Sequence, residues 1–315
     1  MVAKPLAPAL PPAVSSPVPL DRPFTTAMAT GAGVSRRQLD LWVTNGALRR
    51  PIKGLYHPAD LPDSLGLRIE ALRLVVPEAC VVTDRTAGWL WGANMILAPN
   101  EHLVVPQAQV FSPPGLRLRN GLVSSGERIL TSEDVALVEG IRVTTPLRTA
   151  CDLGRLLHRD QAFAAMDSLA GLRCFSVDEL VEATRRFAGY RGVIQLRALA
   201  PFVDPDSQSP GESILRLRWL DVGLPRPKCQ VGVPAPGGGR YWIDIGLEER
   251  RLGAEYDGEE FHTEDDQEHD EGRRDWMRRT ENWTIVVARK ANIYGPHQDI
   301  DQMLRRAAAE VGLRR

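Results

Sequence analysis

Lysine is almost absent from this chain. Of 39 basic residues only Lys4, Lys53, Lys228 and Lys290 are lysine and the rest are arginine, a bias that points to a high-GC genome more than to a function. Cysteine is sparse too. Cys80, Cys151, Cys174 and Cys229 stand far apart with no Cys-x-x-Cys pair, which argues against a zinc site or a disulfide framework and for a reducing cytoplasm. No stretch approaches the roughly 18 consecutive apolar residues of a membrane span, which excludes a bilayer as partner. Met1 to Pro23 is rich in proline and alanine but has no basic start followed by a long apolar run. Residues 1–22 therefore read as a disordered tail, not a secretion signal.

What is present is the composition of a soluble globular chain, 43% hydrophobic and 25% charged, and 315 residues suffice for two or three domains with cores of their own. The formal charge of -1 hides an asymmetry. Arg36, Arg37, Arg49, Arg50 and Lys53 crowd one segment, while Glu255 to Glu271 is mostly acidic or polar. Binding to nucleic acid depends on where charge sits, so a balanced total does not exclude it.

Gly31 to Ser35 interrupts two short helical patterns, and Ser35 with Gln38 three residues on has the spacing of a capping box. The second helix carries Leu39, Trp42 and Val43 on one face and turns Arg36, Arg37 and Asp40 away from it. Two strand-like pieces follow, around Arg49-Arg50 and Lys53-Gly54-Leu55-Tyr56. Helix, turn, helix and basic hairpin in that order predict a winged helix over residues 23–60. In such a module Arg36 and Arg37 would face double-stranded DNA, and Arg49, Arg50 and Lys53 would meet phosphates. Solvated surface arginines are the bland alternative. A mixed α/β middle domain is expected over residues 61–204, with strands near Val81 and Leu103 to Val105 and a helix opened by Pro146. The polar stretch Val203 to Pro210 reads as a linker.

The winged-helix segment, followed by Asp84-Arg85-Thr86-Ala87-Gly88-Trp89-Leu90-Trp91-Gly92 and by Val143-Thr144-Thr145-Pro146-Leu147-Arg148-Thr149-Ala150-Cys151-Asp152-Leu153, resembles the antitoxin-like regulators of AbiE-type toxin-antitoxin systems. The resemblance spans about Pro23 to Asp206. It implies a protein that binds its own promoter through the N-terminal module, uses the following domain for partner or DNA contact, and has a cognate toxin.

From residue 205 to 315 the expected order is helix, three strands, helix, strand and helix, an α/β unit with a mixed sheet. In Tyr241-Trp242-Ile243-Asp244-Ile245, strand alternation points Asp244 away from the face of the two isoleucines. In Ala254-Glu255-Tyr256-Asp257-Gly258 it puts Glu255 and Asp257 on one face, so three carboxylates can converge. Oxygen ligands suit Mg²⁺ or Mn²⁺, which take one or two carboxylates plus water and phosphate.

A Glu near the start of a helix, then strands delivering an Asp and a Glu, is the layout of PD-(D/E)XK nucleases. The whole segment from Ser209 to Gly295, with Glu212, Gln230, Asp270, Arg273, Arg274 and Trp283 in order, resembles very-short-patch-repair-type endonuclease domains. The resemblance implies that Asp244 is the principal metal ligand, Glu255 a second one and His262 an acid or base. It implies that Glu212 orients water or a second ion, that Gln230 supports the substrate, and that Arg274 holds phosphate or pairs with an acid. The chain departs from the pattern where Asp257 replaces the lysine expected two residues after Glu255, and it lacks the repair enzymes' zinc-binding cysteines. Each residue also has a plain reading: Asp257-Gly258 as a hairpin turn, His262 as a solvated side chain, Glu212 as a helix-start acid. Two functions follow as expectations. One is a DNA-binding metal-dependent endonuclease of defence or repair; the other is a transcriptional regulator or antitoxin whose nuclease fold no longer cuts.

Overall fold

The computed structural model describes residues 16–94, 106–112, 123–258, 264–294 and 298–313. His262, the expected strand at Leu103 to Val105 and residues 1–15 of the expected tail lie outside them. Three sheets form among the described residues, and the chain divides into two compact units, the first ending at Asp152 and the second holding Leu153–Arg315.

The first unit begins with β1 (Phe24–Thr25), α1 (Thr26–Gly31), α2 (Arg36–Thr44), β2 (Leu48–Ile52) and β3 (Leu55–Pro58). Gly33, at φ +87°, turns the chain between the helices, a conformation glycine adopts without steric cost. Ser35 caps α2 by accepting from the Gln38 N–H at 3.2 Å. Only this half of the expected capping box forms. The three strands make an antiparallel sheet in the order β1-β3-β2. Leu39 and Trp42 of α2 pack with Phe24, Leu48 and Tyr56, and Val18 joins the same cluster, so the last residues before β1 belong to the fold.

The same unit continues with α3 (Leu65–Arg73), β4 (Val81–Val82), α4 (Asp84–Trp91), β5 (Ala108–Ser112), β6 (Val123–Glu127), β7 (Val135–Val138) and β8 (Ile141–Thr144). Their sheet runs β6-β5-β4-β8-β7. Its core joins Ile69 and Leu72 to Val82, Val110 and Val143, and also takes in Ile52 and Leu55 of the hairpin. The helix α5 (Pro146–Leu156) starts on proline, whose missing N–H costs nothing in a first turn.

The second unit contains α6 (Arg159–Gly171), α7 (Val177–Ala183), α8 (Val193–Leu199) and α9 (Pro210–Asp221), then β9 (Lys228–Pro234), β10 (Arg240–Leu247) and β11 (Leu252–Asp257). It ends with α10 (Glu264–Thr280), β12 (Thr284–Arg289), α11 (Lys290–Ile293) and α12 (Ile300–Glu310). The segment between α8 and α9 is tied down inside this unit. Asp204 N–H donates to the buried Asp167 at 2.9 Å, and Asp167 pairs with the fully buried Arg216 at 2.5 Å. The sheet order is β12-β11-β10-β9, with only the β11–β12 pair parallel, so α10 is the crossover that a parallel pair requires.

Along β12 the burial alternates as a strand should: Ile285 and Val287 pack with Met277 of α10, Val286 and Ala288 with α9 and α12. On β10 the alternation slips. Ile243 belongs to the α10 side and Ile245 to the α9 and α12 side, and across the ladder Val231 and Cys229 divide the same way. The two isoleucines flanking Asp244 therefore face opposite sides of the sheet, which corrects the period-two expectation. Across from Asp244, Gln230 holds φ +50°, a left-handed conformation that departs from the regular pleat of β9 at the same level.

Candidate functional site

The first candidate surface is cationic. Arg36 and Arg37 occupy the first turn of α2, Arg49 lies on β2 and Lys53 at the hairpin tip, all exposed. Arg50 behaves differently. Its guanidinium lies 5.4 Å from the Tyr56 ring centre and 3.6 Å from Asp40, so it braces the hairpin against α2.

The second candidate is the carboxylate group on the last sheet, built where the pleat slips. The ladder between β10 and β11 stops at Ile245↔Ala254. Beyond it the Tyr256 N–H donates to Asp244 Oδ2 at 2.7 Å, so a side chain takes the place of a strand carbonyl. The start of α9 fits directly on Tyr256: a Cβ on Gly211 would stand 2.2 Å from that ring. This close approach brings in Glu212, whose Oε2 accepts from Gln208 N–H and from Gln230 Nε2, both at 3.0 Å. Glu212 thus helps cap its helix and faces the site at once. The left-handed turn at Gln230 is what carries its amide to that carboxylate.

Glu255, only 3% exposed, accepts on Oε2 from Arg273 Nη2 at 2.9 Å and Arg274 Nε at 2.8 Å, while its buried Oε1 has no hydrogen-bond partner among the described residues. Arg274 is therefore a buried partner of an acid, and Arg273 also donates to the Trp242 carbonyl. Asp257 lies 3.8 Å from Arg274 Nη1 and 3.6 Å from Arg289 Nε. The position where the nuclease pattern has a cation thus holds an acid that draws arginines instead. Burial and then the Glu212 carboxylate push Asp244 up to about 7, with Glu255 adding to the rise while the Tyr256 N–H and Arg273 oppose it. Glu212 is also raised, by burial, against the pull of Gln208, Ser209 and Gln230.

Among the described residues no three acid, histidine or cysteine side chains gather to hold a metal ion. Asp244 and Glu255 offer two carboxylates, each with one oxygen already engaged, which leaves one oxygen apiece for a hard cation that completes its shell with water.

A third cluster was not foreseen, although parts of it lie in Asp84–Gly92 and Val143–Leu153. Asp84, held at φ +52°, takes both Nη atoms of Arg128 at 2.9 and 3.1 Å, and Arg128 also reaches Asp152 at 2.8 Å. Arg148 joins Asp152 to Asp134, each at 2.8 Å, and Arg128 lies flat on Phe111, 3.9 Å from the ring centre. Burial would lower the Arg128 pKa, but Asp84 and Asp152 more than reverse this and raise it. The i, i+4 spacing of Arg148 and Asp152 was visible in the sequence; nothing local announced Arg128 as the bridge.

Two uncharacterized proteins of Mycobacterium tuberculosis, from strains CDC 1551 / Oshkosh and H37Rv, are each 33% identical to this chain over 230 residues, which cover 73% of it and 80% of each relative. The chain belongs to their family. Residues 79–202 match the AbiEi antitoxin C-terminal domain. That AbiEi region runs from just before β4 to the turn after α8 and contains the whole of the Asp84–Arg128–Asp152–Arg148–Asp134 network. It ends before α9, so the carboxylate group lies outside it. No helix among the described residues is long and apolar enough to cross a membrane.

Proposed function

We propose that this protein is a DNA-binding regulator of the antitoxin type, in which residues 23–60 act as a winged helix and the AbiEi region contacts a cognate toxin. The last domain serves there as a nuclease-like fold kept for binding. One observation carries the reading: two short helices and a hairpin, with Arg36, Arg37, Arg49 and Lys53 exposed, precede the AbiEi region on the N-terminal side of α3. Cations so placed neutralise phosphates and release counterions. The test is fluorescence anisotropy with the duplex upstream of the protein's own gene. Arg36→Ala with Arg37→Ala should weaken binding and lower the salt slope by about 2, at ~0.9 per phosphate contact. Unchanged affinity and slope would remove the DNA-reading role of α2. Co-purification with the product of an adjoining gene tests the toxin.

A second reading is favoured by the partnerless Glu255 Oε1 beside a raised Asp244: a metal-dependent phosphodiesterase site. Asp244 and Glu255 would hold Mg²⁺ or Mn²⁺, which supplies a Lewis acid for a phosphoryl oxygen. Arg273 and Arg274 would fix the Glu255 carboxylate, and Glu212 and His262 would move protons. Calorimetry should then show divalent-ion binding that Asp244→Asn abolishes, and single- or double-stranded DNA should be cut. Promoter binding without cutting by either metal selects the regulator.

A further inference from the structure

Between the hairpin and the two helices that follow it lies a cleft of about 230 Å³ within the first unit. Arg49, Arg50, Pro51 and His57 line it from the hairpin, Asp63, Leu67, Ala71 and Trp89 from the other side. We infer that this cleft binds a small organic anion with a planar body, its oxyanion held by Arg49 and Arg50 and its ring lying along Leu67, Ala71 and Trp89.

Four observations support the charge and shape of that ligand. Arg50, which lines the cleft, has a buried Nε with no hydrogen-bond partner among the described residues. The buried His57 bonds the Pro58 carbonyl through Nδ1 at 2.8 Å, so when that nitrogen carries the proton Nε2 is left to accept from a ligand hydroxyl or amino group. Asp63, the acid in the wall, has both oxygens taken up by the two-pronged grip of Arg68 at 2.8 and 2.6 Å. Arg68 also donates to the Trp89 carbonyl at 2.7 Å and lies 5.5 Å from that indole's centre, which fixes the aromatic wall. Charged guanidinium donors in an apolar, partly enclosed cleft select a carboxylate or phosphate over a neutral group of equal shape.

The inference is independent of the DNA-binding reading, because it is tested without DNA. Calorimetry on the full chain would use salicylate and adenosine monophosphate, with salicylamide and adenosine as their uncharged counterparts. At least one anion should bind saturably and about tenfold more tightly than its counterpart. Which anion binds separates a carboxylate from a phosphate ligand. Arg49→Gln should weaken that binding about tenfold, and Leu67→Trp should block it by filling the cleft while leaving both arginines in place. Arg37→Gln, exposed but outside the cleft, should leave it unchanged. Thermal melts confirm that each variant is folded. The inference fails if neither anion binds at millimolar concentration, if the neutral counterparts bind as well, or if folded Arg49→Gln and Leu67→Trp bind like the parent.

Discussion

Two groups of buried acids divide this molecule. In the first unit Asp84, Asp134 and Asp152 are threaded on two arginines, so every carboxylate touches a cation. In the last domain Glu212 and Asp244 crowd Glu255, and of these three acids only Glu255 forms an ion pair with arginine among the described residues. Compensated charge in a protein interior holds a fold in one arrangement, because breaking any pair strands an ion away from water. Uncompensated charge does the reverse: it raises the carboxyl pKa, costs stability when ionised and leaves oxygen atoms open to a proton or a cation. Within residues 79–202 these acids are thus paired with arginine, whereas Glu212 and Asp244 beyond them are not, among the described residues.

The largest effect should come from the compensated group. Arg148→Leu keeps the helix but leaves Asp134 and Asp152, both buried, short of a partner, and is expected to cost about 3–5 kcal/mol in urea or thermal unfolding. A cost below about 1 kcal/mol would show that the network is not what holds β8 and α5 to the turn before β7.

The opposite sign is expected on the last sheet. A carboxyl raised to about 7 means that the folded chain keeps a proton that the unfolded chain releases near pH 4. Its contribution is fully present below pH ~4 and is lost as pH climbs through about 7. Asp244→Asn removes that loss, so the variant should match wild type at pH 4 and exceed it by about 2–4 kcal/mol at pH 8. Reading the difference between the two proteins cancels the titration of groups that do not interact with Asp244. A variant less stable than wild type at pH 8 would mean that Asp244 is satisfied after all. Added Mg²⁺ that lifts wild type alone at pH 8 would instead support the metal reading.

How far the sequence carried differs between the same two regions. The order of α10, β12 and the last helix is legible, because an acidic segment gives way to an apolar strand across Asn282, and Pro146 opens α5 where its chemistry demands. The carboxylates Asp244 and Glu255 could be named from strand alternation, and Glu212 from the nuclease resemblance. Their surroundings could not. Period-two reasoning assumes a regular pleat throughout, and it failed at the level where Gln230 on the neighbouring strand is left-handed and Ile243 and Ile245 pack on opposite faces. Arg128 and Asp84 meet across a separation of 44 residues, which only the folded sheet brings together. The inward turn of Arg50 onto Tyr56 likewise depends on a cross-strand neighbour and not on the run of arginines it belongs to.

The smallest effect tests whether the crowded acids are positioned by the start of α9. Gly211→Ala puts a methyl group where the Tyr256 ring now lies, and the Cβ would fall 2.2 Å from it. The ring must swing or the helix must lift, and such overpacking costs about 1–3 kcal/mol. Tyr256 is also the residue whose N–H steadies Asp244, and Glu212 follows Gly211 directly, so either movement separates the two carboxylates. Part of what raises Asp244 would then be relieved, because Glu212 is its largest neighbour-charge contribution after burial. The stability difference between pH 4 and pH 8 should therefore shrink in Gly211→Ala relative to wild type. A Gly211→Ala protein with the full wild-type pH dependence would mean that α9 does not set the distance between these acids, and that burial alone accounts for the state of Asp244.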